Sequence, residues 1–163
     1  MNARIHISLR EQRLRLVTDA KTTTYPCSTA RNGPGERADT GCTPRGRHVI
    51  RAKIGAACPL NTVFRGRRPT GEIWTPELHA RFPERDWILT RILWLSGVEP
   101  GFNRLGSVDT LRRYIYIHGA PDPEPMGAPR SHGCVRMRNA DVIDLFDHIQ
   151  TGCPVDILDG PLP

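Results

Sequence analysis

The sequence has no long apolar run. None of its hydrophobic stretches approaches the roughly 20 residues that a membrane-crossing helix requires, so insertion into a bilayer by helices is excluded. The first residues, Met1-Asn2-Ala3-Arg4-Ile5-His6-Ile7, have no apolar core and no small-residue cleavage site, so no export signal is visible there. Aromatic residues are scarce at 6% and do not interleave with the basic ones. No nucleic-acid motif accompanies the net charge of +6, so the charge points instead to a carboxylate-rich substrate or an anionic wall polymer. There is no CxxC pair, and the cysteine count is five: Cys27, Cys42, Cys58, Cys134 and Cys153. An odd count without paired spacing is a poor disulfide framework and fits a reducing compartment. No internal repeat, low-complexity tract or linker interrupts residues 1–163, which therefore read as a single domain.

Turn formers are abundant, with 15 Gly and 15 Pro, which favours many short elements and a mainly β fold. Ile5, Ile7 and Leu9 alternate with polar residues, and Leu14, Leu16 and Thr18 repeat the pattern after a polar turn, predicting a hairpin. Further strands are expected over 22–28, 48–54, 87–95 and 114–117. Residues 59–84 carry many Pro, Gly and Arg and read as irregular, either a functional lid or a surface loop. One helix is prominent: Val142, Leu145, Phe146 and Ile149 fall at helical spacing. Asn139 or Asp141 is placed to cap it and Gly152 to end it, before a last strand through Val155, Ile157 and Leu158.

The segment from Tyr114 to Asn139 carries the chemistry. A strand delivers His118-Gly119, a Pro-rich loop follows, then Ser131-His132-Gly133-Cys134, with Arg136 two residues on and the helix shortly after. A thiol is a nucleophile once deprotonated, and imidazolium, guanidinium and helix N-termini all lower its pKa. Gly133 permits backbone conformations closed to other residues and can aim N–H groups at a developing oxyanion. A zinc site from His118, His132 and Cys134 is the rival reading, but no fourth ligand follows at a usual spacing. The bland alternative is a buried cysteine beside two hydrogen-bonded histidines.

This pattern resembles the catalytic motif of the L,D-transpeptidase (YkuD-like) family. The matching pieces are His118-Gly119 and Ser131-His132-Gly133-Cys134 with Arg136, with twelve residues between His118 and Ser131. Thr43-Pro44 with Gly46, and Asn103-Arg104, are weaker matches, and the likeness covers nearly the whole chain. The resemblance implies a β-sandwich of the L,D-transpeptidase catalytic-domain type, with one prominent helix after the nucleophile. It implies that Cys134 is the nucleophile, His118 the general base, and the Gly119 carbonyl the group that orients it. His132, Gly133 and the Cys134 N–H would shape the oxyanion hole, Ser131 would fix the loop, and Arg136 would bind a substrate carboxylate or support the loop. No metal or organic cofactor is implied. The implied partners are peptidoglycan stem peptides or muropeptides, and carbapenems as acylating inhibitors.

The thioester so formed can pass to water, giving L,D-carboxypeptidase action, or to an amine, giving a cross-link. With no export signal in view, the expectation is a cytoplasmic carboxypeptidase of wall recycling, with a periplasmic transpeptidase as the alternative if a leader has been removed. A catalytically silent peptidoglycan-binding module is the non-enzyme reading; an intact His118/Cys134 pair argues against it, since binding alone needs no reactive thiol.

Overall fold

The computed structural model describes residues 2–163. The chain forms β1 (Arg4–Ser8), β2 (Arg13–Val17), β3 (Thr22–Pro26), β4 (Gly46–Ile54), β5 (Thr62–Arg65), β6 (Arg68–Ile73), α1 (Pro76–Arg81), β7 (Ile88–Gly97), β8 (Tyr116–Ala120), β9 (Val135–Arg138), α2 (Asn139–Asp147) and β10 (Pro154–Leu158). All ten strands join one curled sheet in the order β3-β2-β1-β10-β4-β7-β5-β6, with β8 branching from β7 and β9 pairing β8. The fold is mainly β with one main helix, as the sequence predicts.

Alternation explains the strands. Ile5 and Ile7 of β1 and Leu14 and Leu16 of β2 are buried on one face, and they pair in register as Ile5–Leu16 and Ile7–Leu14. α2 lays Val142, Leu145 and Phe146 on this core, against β7, β8 and β9. Ile117, Val135 and Met137 meet them from the sheet.

Two parts differ from expectation. Residues 59–84 are ordered. They contain the β5–β6 hairpin and α1, whose Thr75 hydroxyl accepts the Leu78 N–H at 3.0 Å with Pro76 in the first turn. β6 is almost wholly exposed, so it carries no alternating pattern that would mark it as a strand. Second, a strand stands between Cys134 and the helix. β9 runs parallel to β8, pairing His118 with Arg136. A parallel return needs a long crossover, and the Pro-rich loop 121–134 supplies it. The nucleophile candidate is therefore fixed at the start of a strand, not at the N-terminus of α2, and the helix dipole does not act on it directly. Asn139 does not cap α2 either. The capping position is Arg138, without a side-chain bond, and Asn139 turns inward. The helix closes at His148, ahead of Gly152.

One buried polar residue makes the fold acid-sensitive. His48, 1% exposed, donates from Nδ1 to the Gly46 carbonyl at 3.0 Å, and its Nε2 accepts from the Thr110 hydroxyl at 2.9 Å. Burial lowers its pKa to about 4 from 6.5, opposed by the Gly46 carbonyl and nearby carboxylates. The unfolded chain thus binds the proton first as pH falls, so stability rises with pH across this window. Between pH 6.5 and 4 this group alone is expected to remove about 3 kcal/mol of stability, at about 1.4 kcal/mol per unit. Urea melts at a series of pH values check this. A His48→Gln variant should show a shallower slope over that range; an unchanged slope would refute the assignment.

Candidate active site

β8 and β9 lie side by side, and parallel partners in register point to the same face. Tyr116 and His118 on β8 therefore share a face with Cys134 and Arg136, on strands about 4.8 Å apart. Cys134 sits one step before β9, held by the backbone on either side of Ile115. The Tyr116 N–H reaches its Sγ at 3.3 Å, and the thiol donates to the Tyr114 carbonyl at 3.4 Å. Tyr114 takes φ +58 to turn that carbonyl, an uncommon conformation for a bulky residue.

The loop before Cys134 is fixed by hydroxyls. Ser131 Oγ donates to the Cys134 carbonyl at 2.6 Å and accepts the Gly133 N–H at 3.2 Å. Thr43 Oγ1 donates to the Gly133 carbonyl at 2.8 Å and accepts the Ala30 N–H at 3.0 Å. Gly133 has φ +134, and a Cβ there would crowd the Cys42 carbonyl and Ile115, so only glycine fits. Because its N–H is spent on Ser131, Gly133 is not a free oxyanion donor.

His118 is fully buried. Its Nδ1 lies 2.6 Å from the Gly119 carbonyl. A carbonyl only accepts, so the proton is on Nδ1 and Nε2 is the bare acceptor. Among the described residues Nε2 has no hydrogen-bond partner although it is buried. Burial lowers the His118 pKa, with Asp86 and the Gly119 carbonyl opposing and Arg136 adding to the fall. The Cys134 thiol is partly exposed at its surface but enclosed by protein. That desolvation pushes its pKa up to about 12, against the Tyr116 N–H, which pulls it down. The surrounding arginines do not overcome burial, so the resting thiol is protonated.

Arg136 is 8% exposed and ion-paired to Asp86 at 3.0 Å and Glu124 at 3.9 Å. His132 is exposed and lies 3.6 Å from the same Asp86 oxygen. Burial raises the Asp86 carboxyl, but His118, Arg136 and His132 outweigh it and hold the pKa below the ordinary value. Asp86 is thus the anionic hub of the site, and it was not among the residues singled out from sequence. Asn139 is another. Its side chain donates to the Ala120 carbonyl at 2.9 Å, and its oxygen accepts from Thr90 at 2.6 Å. A Cβ on Gly119 would overlap Asn139 Oδ1 and the Leu89 carbonyl, so this residue too must be glycine.

Trp74 and α1 face the loop after His118 across a groove of about 370 Å³ lined also by Pro121, Pro123 and Pro125. A larger cavity of about 570 Å³ lies by residues 2–4 and 148–154 and contains none of the site residues. All five cysteines are free. Among the described residues no three histidine, cysteine or acidic side chains are grouped to hold a metal ion, and no helix is long and apolar enough to cross a membrane.

The family model of the L,D-transpeptidase catalytic domain (YkuD) matches residues 2–157. The chain belongs to this family. It is similar to the probable L,D-transpeptidase YbiS of Escherichia coli K12, with 31% identity over 114 residues, which is 68% of this chain and 36% of that protein. The chain thus spans little more than a third of the length of the curated relative. Among solved structures, an L,D-transpeptidase from Mycobacterium smegmatis matches 96% of the chain and 58% of its own, with a TM-score of 0.55 and 17% identity. The L,D-transpeptidase LdtMt1 in complex with imipenem matches 96% and 59%, at TM-score 0.57 and 16% identity. These likenesses show an L,D-transpeptidase catalytic-domain fold.

Proposed function

We propose that this domain cleaves the diaminopimelate–D-Ala bond of peptidoglycan tetrapeptide stems through a Cys134 thioester, with water as the acceptor. The observation that carries this reading is the state of His118. Its Nδ1 is pinned to the Gly119 carbonyl while a bare, buried Nε2 shares a face with the thiol. A base so held has one task left, to take a proton.

The sulfur attacks the stem carbonyl as Nε2 takes its proton. The developing oxyanion is met by the Cys134 N–H. The intermediate collapses, Nε2–H protonates the departing amine of D-Ala, and the acyl group remains on sulfur. His118, neutral again, deprotonates a water that attacks the thioester. The tripeptide carboxylate leaves, and the proton returns to sulfur. One base serves both halves. Asp86 supports the imidazolium each time it forms, offsetting the buried Arg136 beside it.

Hydrolysis asks nothing of the site beyond Cys134 and His118, whereas an amine acceptor needs a second peptide cleft. The second reading, transfer to an amine to give a cross-link, draws on the name of the E. coli relative. Both readings share the thioester, and both predict acylation of Cys134 by a carbapenem such as imipenem, which the related LdtMt1 holds in its solved complex.

The test is mass spectrometry of disaccharide-tetrapeptide incubated with wild type and with Cys134→Ala. Loss of D-Ala to give tripeptide alone, absent in the variant, supports hydrolysis. Cross-linked dimer, or exchange of added D-amino acid, supports the second reading. Substrate left intact by wild type, or cleaved equally by the variant, defeats both.

A further inference from the structure

Two arginines act on the thiol, Arg113 and Arg136, and a third, Arg67, lies against the tyrosines that support it; their engagements differ. Arg113 spends its guanidinium on the Gly35 and Cys42 carbonyls, at 3.1 and 2.6 Å. Arg136 is neutralised by Asp86 and Glu124. Arg67 has no carboxylate partner among the described residues. Its guanidinium lies over the Trp94 ring at 4.6 Å and the Tyr114 ring at 5.0 Å, and donates one bond to the Tyr116 hydroxyl at 3.2 Å. Tyr114 and Tyr116 are the two residues whose backbone holds Cys134 Sγ. The unpaired cation thus rests on the Tyr114 and Tyr116 side chains, whose main chain holds the thiol.

The hairpin tip that carries Arg67 is costly to build. Gly66 and Arg67 form the two-residue turn of the β5–β6 hairpin, with φ of +56 and +66. Positive φ at both positions is the type I′ turn, which favours Asn and Gly. An arginine there is strained, and such strain is held where surrounding contacts over-determine it, often at functional sites. Phe64 anchors the same hairpin in the cluster with Ile92 and Tyr116, against which Cys134 also packs.

We infer that Arg67 binds a carboxylate of the donor stem peptide and so selects substrates in which that carboxylate is free. The inference rests on the function proposed above. A planar guanidinium stacked on aromatic faces keeps its outer N–H groups for a bidentate carboxylate. The stem offers three carboxylates: the terminal D-Ala, the far end of diaminopimelate, and the free group of D-Glu. The aromatic platform fixes the guanidinium before substrate arrives, so little side-chain freedom remains to be lost on binding.

The experiment measures kcat/KM on the tetrapeptide and on three analogues, each with one carboxylate converted to amide, for wild type, Arg67→Gln and Arg67→Lys. Wild type is expected to lose about 10- to 100-fold on one analogue, the range for a charged hydrogen-bonded pair. Arg67→Gln should lose that much on the free tetrapeptide and no longer distinguish it from the amide, while Arg67→Lys should recover part of both. The inference is overturned if wild type treats all four substrates alike. It is equally overturned if Arg67→Gln keeps the wild-type preference, or is slowed by one factor on every substrate with a lowered melting temperature. If wild type leaves even the tetrapeptide intact, the proposed function fails and takes the inference with it; turnover without discrimination removes the inference alone.

Discussion

Replacing His118 by glutamine is expected to lower kcat/KM for tetrapeptide cleavage by about 10²- to 10⁴-fold, the usual contribution of a positioned base. The magnitude follows from how far the thiol is from ionising by itself. Its pKa is pushed up to about 12 by burial, so almost none is thiolate at neutral pH. Proton removal during attack then depends on a neighbour with a free lone pair. His118 is lowered from 6.5 by the same burial, so it is neutral at pH 7 and ready to accept. The wild-type rate should hold level through neutral pH and fall only at a pH more acidic than an ordinary imidazole would show, as protonation fills Nε2. The glutamine variant has no such group. Its residual rate should show no acid limb and should rise with pH as thiolate forms.

Alkylation of Cys134 by iodoacetamide separates this from a binding defect, since the reagent needs no peptide subsite. Wild type should react fastest where His118 is neutral, whereas the variant should react slowly at pH 7 and faster with every unit above it. Matching alkylation profiles for the two proteins would show that His118 is not the proton acceptor. Melting temperatures measured alongside tell whether the variant still folds.

What was legible in the sequence was local. Ser131-His132-Gly133-Cys134 and His118-Gly119 are contiguous, and each piece has a chemical reason visible in its residue types. The strands with one buried face, at Ile5/Ile7 and Leu14/Leu16, show the period of two that burial imposes. What stayed hidden was either featureless or non-local. β6 is solvent-exposed along most of its length, so nothing in its pattern separates a strand from a loop. β9 alternates Val135 and Met137 with two arginines, but four residues ahead of a strong helix leave little room for a separate signal. Asp86 meets Arg136 across fifty positions and Arg67 meets Tyr116 across forty-nine, and no spacing rule links them. The electrostatics were misjudged for the same reason. Sequence shows how many cations surround Cys134, whereas burial, which outweighs them, depends on the packed structure.

Asn139 is the sharpest case, and its replacement is expected to have the largest effect on stability. In sequence it sits where a capping residue belongs. In the fold its Nδ2 lies within 3.1 Å of three acceptors, the Ala120 carbonyl, Asn61 Oδ1 and Asp122 Oδ1, while Thr90 donates to its oxygen. Thr90 is itself at φ +75, at the break in pairing between β7 and β8, and the Asn61 N–H bonds its hydroxyl. A β-branched residue at positive φ is strained, and this amide is what its hydroxyl holds on to. Asn139→Ala would strand the Ala120 carbonyl and the Thr90 hydroxyl in a dry interior, at about 1–3 kcal/mol each. A total of roughly 3 kcal/mol would lower Tm by about 6–12 °C in a domain of this size. Asn139→Asp should be worse at neutral pH despite its matching shape. It replaces the one donor facing three acceptors with a fourth acceptor, and it buries a charge without a partner. A cap or a simple space-filling role predicts the reverse order, because aspartate caps well and fills the same volume. Thermal melts of the two variants therefore decide between the readings. Activity adds a second measure: the amide braces Ala120, whose neighbour Gly119 orients His118, so kcat should fall in Asn139→Ala even at temperatures where the variant remains folded. An Asp variant as stable as wild type would mean that the three acceptors do not depend on this amide.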